Sequence, residues 1–92
     1  MSDDEAGKKL VQVKVILDCG ESGSILVILE VIPETTIGEV MIQALQQKNY
    51  PLKFLEPGNA WSRPVHAGKL LSRNSPISSL PNYPDDANFH LI

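Results

Sequence analysis

The strongest constraint on the fold is a change in the spacing of apolar residues at Pro33. Before it, residues 10–18 alternate between apolar and polar positions, the period of two that is typical of a half-buried strand. Residues 25–32 form a second run rich in β-branched side chains, and the Gly-containing segment 19–24 between the two runs predicts a turn. We therefore expect a hairpin whose core-facing residues are Val11, Val13, Val15, Leu17, Val27, Leu29 and Val31, with Glu30 facing water.

After Pro33 the apolar residues recur at helical spacing. Thr36 is a good N-cap residue, and Glu39 three positions later completes a capping box that satisfies otherwise unpaired amide donors. The residue before proline avoids the α region, so Tyr50-Pro51 should end the helix. The sequence predicts a helix at about residues 36–49, whose apolar stripe is Ile37, Val40, Met41, Ala44 and Leu45.

The rest of the chain is less regular. It predicts a short strand at 52–56, a turn at 57–59, a strand within 61–68, a very short strand at 69–71, a helical turn at 77–80 and a last strand at 87–92. Pro64 confines its strand to an edge or an irregular position. A hairpin, a crossing helix and returning strands make an α+β roll, with the last strand parallel to the first in the middle of a mixed sheet. That topology is the β-grasp, in the order ββαβ(β)β.

Length and composition limit the classes of protein to consider. The chain has 92 residues and a net charge of -3, so we expect one domain, at 10–92, after a flexible tail at 1–9. Scattered Lys and Arg argue against nucleic-acid binding. The sequence has a single cysteine and no apolar signal region or membrane-length run. We therefore expect a cytoplasmic or nuclear protein that does not bind membranes.

Three blocks of the sequence resemble ubiquitin and ubiquitin-like domains. Residues 29–40 are similar to the family's second strand, proline and capped helix start, and 66–80 to its Ala-Gly-Lys turn and following loop. Residues 87–92 resemble its last strand, with an apolar-His-apolar-apolar pattern. The order and rough spacing hold from Val11 to Ile92. The resemblance implies the β-grasp fold and a protein-binding role.

The sequence also departs from this family. The first hairpin loop is longer, and 48–61 carries extra prolines and a glycine. The family's modifiers end in a flexible Gly-Gly tail, whereas this sequence stops at Ile92. The resemblance therefore implies a non-conjugating domain, which we expect to stand at the N-terminus of a larger protein or else to be a stand-alone domain.

By matching to the family, an exposed patch of the sheet is the candidate protein-binding site. A small apolar centre with a charged rim suits such a role. The implied partners are ubiquitin receptors, proteasome subunits or enzymes of the ubiquitin pathway, bound by a monomer. The predicted patch comprises Arg63, Val65, His66, Ala67, Gly68, Lys69, His90 and Ile92.

Other candidate sites carry weaker signals. Cys19 lies in an acidic loop that does not suit a nucleophile, and His66 and His90 lack metal-ligand spacing. No set of residues combines a nucleophile, a base and oxyanion donors, so we expect neither an enzyme nor a cofactor. Trp61 either anchors segment 48–61 against the sheet edge or is an exposed binding residue.

An alternative function keeps the fold and changes the partner. Ras-association and FERM-like domains are also β-grasp domains, and they bind small GTPases by extending the sheet through the second strand. Residues 25–32 contain no Lys or Arg to face an acidic switch region, although Lys8, Lys9 and Lys14 could partly compensate.

Overall fold

The computed structural model describes residues 10–81, 83 and 85–92, so the predicted tail at 1–9 lies outside the described residues. These residues form one five-stranded sheet and one α-helix. The strands are β1 (Val11–Asp18), β2 (Ser24–Val31), β3 (Pro64–His66), β4 (Lys69–Leu70) and β5 (Asn88–Leu91), and the helix is α1 (Ile37–Gln47).

The β1–β2 hairpin confirms the prediction from the period-two pattern. The two strands pair antiparallel without interruption from Val11–Val31 to Asp18–Ser24, and a 3-10 turn at Gly20–Ser22 joins them. The core-facing side chains of the hairpin are buried except for Val11, which is partly buried against the same core. Glu30 is exposed, as expected for the opposite face of a half-buried strand.

Helix α1 begins and ends at two recognisable caps. The Glu39 amide donates to the Thr36 hydroxyl oxygen at 3.2 Å, which confirms the predicted N-cap. At the other end Asn49 takes a left-handed φ of 63°. The amides of Asn49 and Tyr50 then donate to the carbonyls of Gln46 and Leu45. This is the Schellman arrangement, so the helix ends just before the predicted proline boundary.

The sheet order is β2-β1-β5-β3-β4, and β5 runs parallel to β1 in the middle of the sheet. This is the β-grasp topology that the sequence predicted. Helix α1 packs its apolar stripe against one face, and the central Phe89 of β5 is completely buried there. The other face is not covered by α1.

Residues 52–56 were predicted to form a strand, and this prediction is wrong. Leu52–Leu55 form a 3-10 helix instead, with the Phe54 amide donating to the Pro51 carbonyl. The tight turn brings Phe54 against Trp61, with ring centroids 5.2 Å apart. A strand would have placed successive side chains on opposite sides, so the aromatic contact favours the helical turn.

Trp61 anchors the segment before β3. It is buried between Tyr50 and Phe54, and its indole N–H donates to the Asp18 carbonyl at 2.8 Å. The indole therefore ties the segment to the end of β1, which confirms the first of its two predicted roles.

Arg73 makes a second set of ties. Its guanidinium donates to the carbonyls of Leu55 and Ser62, and its own carbonyl accepts from the Gly38 amide at 2.9 Å. A Cβ on Gly38 would lie 3.2 Å from that carbonyl oxygen, so the close approach favours glycine at the helix start. One residue thus joins the α1 N-terminus to the irregular segment.

Candidate protein-interaction face

The sheet face away from α1 carries a row of side chains that crosses four strands. Ile16 of β1 is opposite His90 of β5, His90 is opposite Val65 of β3, and Val65 is opposite Leu70 of β4. Paired residues project from the same face of a sheet, so these four side chains are neighbours. His90 and Leu70 are exposed, whereas Ile16 and Val65 are half-buried.

Arg63 and Ile92 continue the ladder beyond the ends of β3 and β5. Each donates its amide to the other's carbonyl, at 3.1 and 3.0 Å. They lie two positions from Val65 and His90, and alternation along the strands places them on the same face. Ile92 is 46% exposed. The structure thus brings together four of the predicted patch residues: Arg63, Val65, His90 and Ile92.

His66 does not lie on this face. It is only 9% exposed, and its Nδ1 atom lies 2.9 Å from the Asn88 carbonyl oxygen. As the neighbour of Val65 in β3, it projects toward the opposite side of the sheet. The predicted placement of His66 in an exposed patch therefore needs correction: the side chain is held by a backbone contact within the fold.

The Ala-Gly-Lys turn lies at the edge of the candidate site. Ala67 and Gly68 both take positive φ, 53° and 81°, which is the two-residue turn suited to a tight hairpin. Lys69 pairs with His66 and therefore belongs to the opposite side of the sheet from Val65. All three turn residues are exposed, but they extend the hairpin tip rather than the exposed face.

The exposed face is larger than the predicted patch. Leu26 of β2 pairs with Ile16, and Ile28 is the next residue on the same face of β2. Their side chains are 50% and 43% exposed, and Leu70 at the other edge is 68% exposed. In the sequence, the unbroken apolar run at 25–29 indicated that β2 has apolar residues on both faces, since a strand with one solvated face should alternate more clearly.

Charged residues of both signs lie on this face. Basic Arg63 lies beside Ile92, and Lys14 pairs with Ile28 near the middle of the sheet. Glu30 lies near one end of β2 at the edge of the sheet. Asp18 ends β1 one position after Leu17, which pairs with Leu91, so it lies beside Ile92 on this face. The apolar centre therefore has charged neighbours of both signs.

Other features give no comparable site. Among the described residues, no group of three or more His, Cys, Asp or Glu is placed to hold a metal ion. Cys19 is a half-buried free thiol whose Sγ lies 3.7 Å from the Leu17 carbonyl oxygen. A shallow groove at the start of α1 is lined mainly by Ile42, Leu52, Leu55 and Pro57. Within the described residues, no helix has the length and apolar character needed to cross a membrane.

The comparison with solved structures defines the class of fold. The chain has the ubiquitin-like β-grasp fold, since a ubiquitin from Caldiarchaeum subterraneum superimposes with a TM-score of 0.62. The match covers 90% of this chain and 91% of that one, at 24% sequence identity. No protein-family model matches the sequence. A search of curated proteins also finds no matching sequence.

Proposed function

We propose that this ubiquitin-like domain is a non-catalytic protein-interaction module. The observation that carries the proposal is the row of mainly apolar side chains on the sheet face that α1 does not cover, together with Arg63 and Ile92 at its end. We name the four residues Arg63, Val65, His90 and Ile92 the sheet patch. Apolar side chains that stay exposed on a rigid sheet can bind a partner without a large change in shape.

The proposed partner is a protein of the ubiquitin system, such as a ubiquitin receptor, a proteasome subunit or a pathway enzyme. This choice rests on the ubiquitin-like fold and on the sheet patch. Arg63 at the patch favours a partner surface with an apolar centre and an acidic group beside it. A single patch of this size is consistent with weak binding, on the order of micromolar or weaker.

The test is an NMR titration of the 15N-labelled chain with a ubiquitin-interacting helix and with a proteasomal ubiquitin receptor. We expect chemical-shift changes centred on the amides of Val65, Gly68, His90 and Ile92. A GTP-loaded Ras-family protein is titrated in parallel. Shifts confined to Lys14 and residues 25–30 with that protein would replace the proposal by the GTPase alternative.

Two isoleucines provide a matched pair of variants. Ile92 is in the sheet patch, whereas Ile42 is on α1 in the groove beside Leu52, with 46% and 37% of their surfaces exposed. We expect Ile92→Lys to weaken binding by about tenfold, because a charge replaces an apolar contact. Ile42→Lys should leave binding unchanged. The reverse result would move the site to the helix groove and overturn the sheet-patch proposal.

A further inference from the structure

The outer edge of β2 is a second surface with features that favour strand pairing. Strand β2 is one of the two edge strands of the sheet, with β4 at the other edge, and it is eight residues long. It contains no proline or lysine, Glu30 is its only charged residue, and its pairing with β1 has no bulge. Proteins commonly protect long apolar edge strands with a proline, a lysine or a bulge, because unpaired backbone groups readily pair with another strand.

Two independent contacts identify the backbone groups that point outward from this edge. The Lys14 amide donates to the Ala87 carbonyl at 3.0 Å, so the backbone groups of Lys14 face away from β2. Ile28, its partner in the register, must then direct its own N–H and C=O away from β1. The second contact agrees, because the Gln47 side chain reaches the Ile28 carbonyl from outside the sheet. By alternation, Ser24, Leu26 and Glu30 also direct their backbone groups outward.

Little within the described part of the chain occupies this edge. Across residues 10–81, 83 and 85–92, these outward groups take part in a single hydrogen bond. The Gln47 side chain donates it to the Ile28 carbonyl at 3.4 Å. That bond is long and exposed, and the side chain is uncharged. An approaching strand could displace it without leaving a buried charge.

We propose that the occupant of this edge is a second copy of the chain, with the two β2 strands paired antiparallel about a twofold axis at Val27. The pairing would join two five-stranded sheets into one continuous sheet of ten strands. In this register Leu26 faces Ile28 of the second copy, and Ser24 faces its Glu30. The twofold axis repeats both pairs, so one strand supplies both halves of the interface.

The side chains of β2 select this register among the symmetric alternatives. An axis at Ile28 would place Leu26 opposite Glu30. An axis at Glu30 would place the two Glu30 side chains opposite each other. An axis at Leu26 would place Ser24 opposite Ile28 and shorten the overlap. Only the axis at Val27 uses the strand from Ser24 to Glu30 while pairing apolar with apolar side chains.

The expected dimer is weak. A single strand-to-strand contact falls in the class of small interfaces, below about 1,200 Å² of total buried surface. We expect a dissociation constant on the order of 0.1 mM. Well below that concentration the chain is the monomer expected from its sequence. The sheet patch lies on β3, β5 and the residues next to their ends, away from β2, so it stays accessible in the dimer.

The first test is sedimentation equilibrium of the full chain from about 20 µM to 2 mM, a range that brackets the expected dissociation constant. We expect the average mass to rise toward that of a dimer, with concentration-dependent amide shifts at Leu26, Ile28 and Glu30. A chain that stays monomeric throughout the range would overturn the proposal. Larger assemblies would do so as well, since a twofold pairing closes at two copies.

Matched variants test the position of the interface. Ile28→Lys at the β2 edge and Leu70→Lys at the β4 edge both place a charge on the same exposed face. We expect dimerisation to be lost in the first and kept in the second. Loss of dimerisation in Leu70→Lys alone would instead assign self-association to the exposed sheet face. Ile28→Pro is a further test of the edge. It removes an N–H group that points outward from the sheet and removes no hydrogen bond between β1 and β2. Circular dichroism should therefore show that the fold is retained.

Charge variants at Ser24 test the register. Ser24→Glu should weaken the dimer a few-fold, because the new carboxylate faces Glu30 of the second copy, and Ser24→Lys should strengthen it by a similar factor. Both effects should shrink at high salt. Equal effects of the two variants would exclude the axis at Val27.

Discussion

Residues 11–47 and residues 50–62 pack against the same hydrophobic core, but different interactions hold them there. In the first region, backbone ladders and helix bonds fix the chain, and periodic apolar side chains fill the core. In the second, one 3-10 turn is joined to the body by Trp61, Arg73 and a few other contacts. Stability in the first region is therefore shared among many residues, whereas in the second it depends on a few side chains.

The largest expected effect lies in the regular part of the molecule. Phe89→Ala removes a fully buried ring from the central strand. We expect a loss of about 3–5 kcal/mol in the free energy of unfolding, because a cavity remains among well-packed neighbours. Urea denaturation measures it by circular dichroism, which reports on the sheet and helix, and by the fluorescence of Trp61, the only tryptophan.

The two probes together sharpen the comparison between the regions. If the core is shared, both transitions should shift to the same lower denaturant concentration. Leu10→Ala, at an exposed position, should change stability by less than about 0.5 kcal/mol. A fluorescence transition that stayed in place in Phe89→Ala would mean that residues 50–62 are held independently of the central strand.

A smaller and more local effect is expected at Arg73. Arg73→Met keeps the apolar stem but removes the bonds to the Leu55 and Ser62 carbonyls. We expect a loss of about 1–2 kcal/mol, since these are charged hydrogen bonds at a partly exposed site. Native-state hydrogen exchange should accelerate at the Glu56 and Ser62 amides and remain slow in β1.

Lys53→Met is the matched control for Arg73. Lys53 is exposed within residues 50–62, the segment that Arg73 contacts. The structure shows no hydrogen bond from the Lys53 side chain within the described residues. Its exchange pattern should match that of the original chain. If hydrogen exchange in Arg73→Met were equally faster across β1 and β2, the proposed difference between residues 11–47, held by backbone hydrogen bonds, and residues 50–62, held by a few side chains, would be wrong.

The smallest expected effect is at the N-cap of α1. Thr36→Ala leaves the Glu39 amide without its side-chain acceptor, at an expected cost of about 1 kcal/mol. Thr36→Ser keeps the hydroxyl and should restore most of the lost stability. Equal losses in the two variants would assign the effect to the lost methyl group, because both lack it and only serine can cap.

How much was predictable differs between these regions for a physical reason. The hairpin and helix could be predicted because local periodicity, a capping residue and the burial pattern favour the same structure. The 3-10 turn at Leu52–Leu55 could not, because a short apolar run fits a strand or a helical turn equally well. Its conformation depends on Trp61, whose indole bonds Asp18, a residue 43 positions away along the chain.

The candidate site shows the same division. The sequence placed Val65, His90 and Ile92 together through their match to a ubiquitin-like pattern, and strand pairing brings them onto one face. It also placed His66 there, whereas alternation in β3 directs that side chain inward to the Asn88 carbonyl. Leu26 and Ile28 were missed although alternation along β2 already placed them on the same face as Glu30, whereas the position of Leu70 depends on its pairing with Val65.

The sequence by itself determined the order of the elements, the core stripe of each and the caps of the helix, because these follow from spacing and from contacts between residues close in the chain. Only the tertiary structure decided which sheet face α1 covers and how residues 50–62 are held. It also decided that β2 lies at one edge of the sheet. Those properties depend on contacts between distant residues, which no local pattern contains.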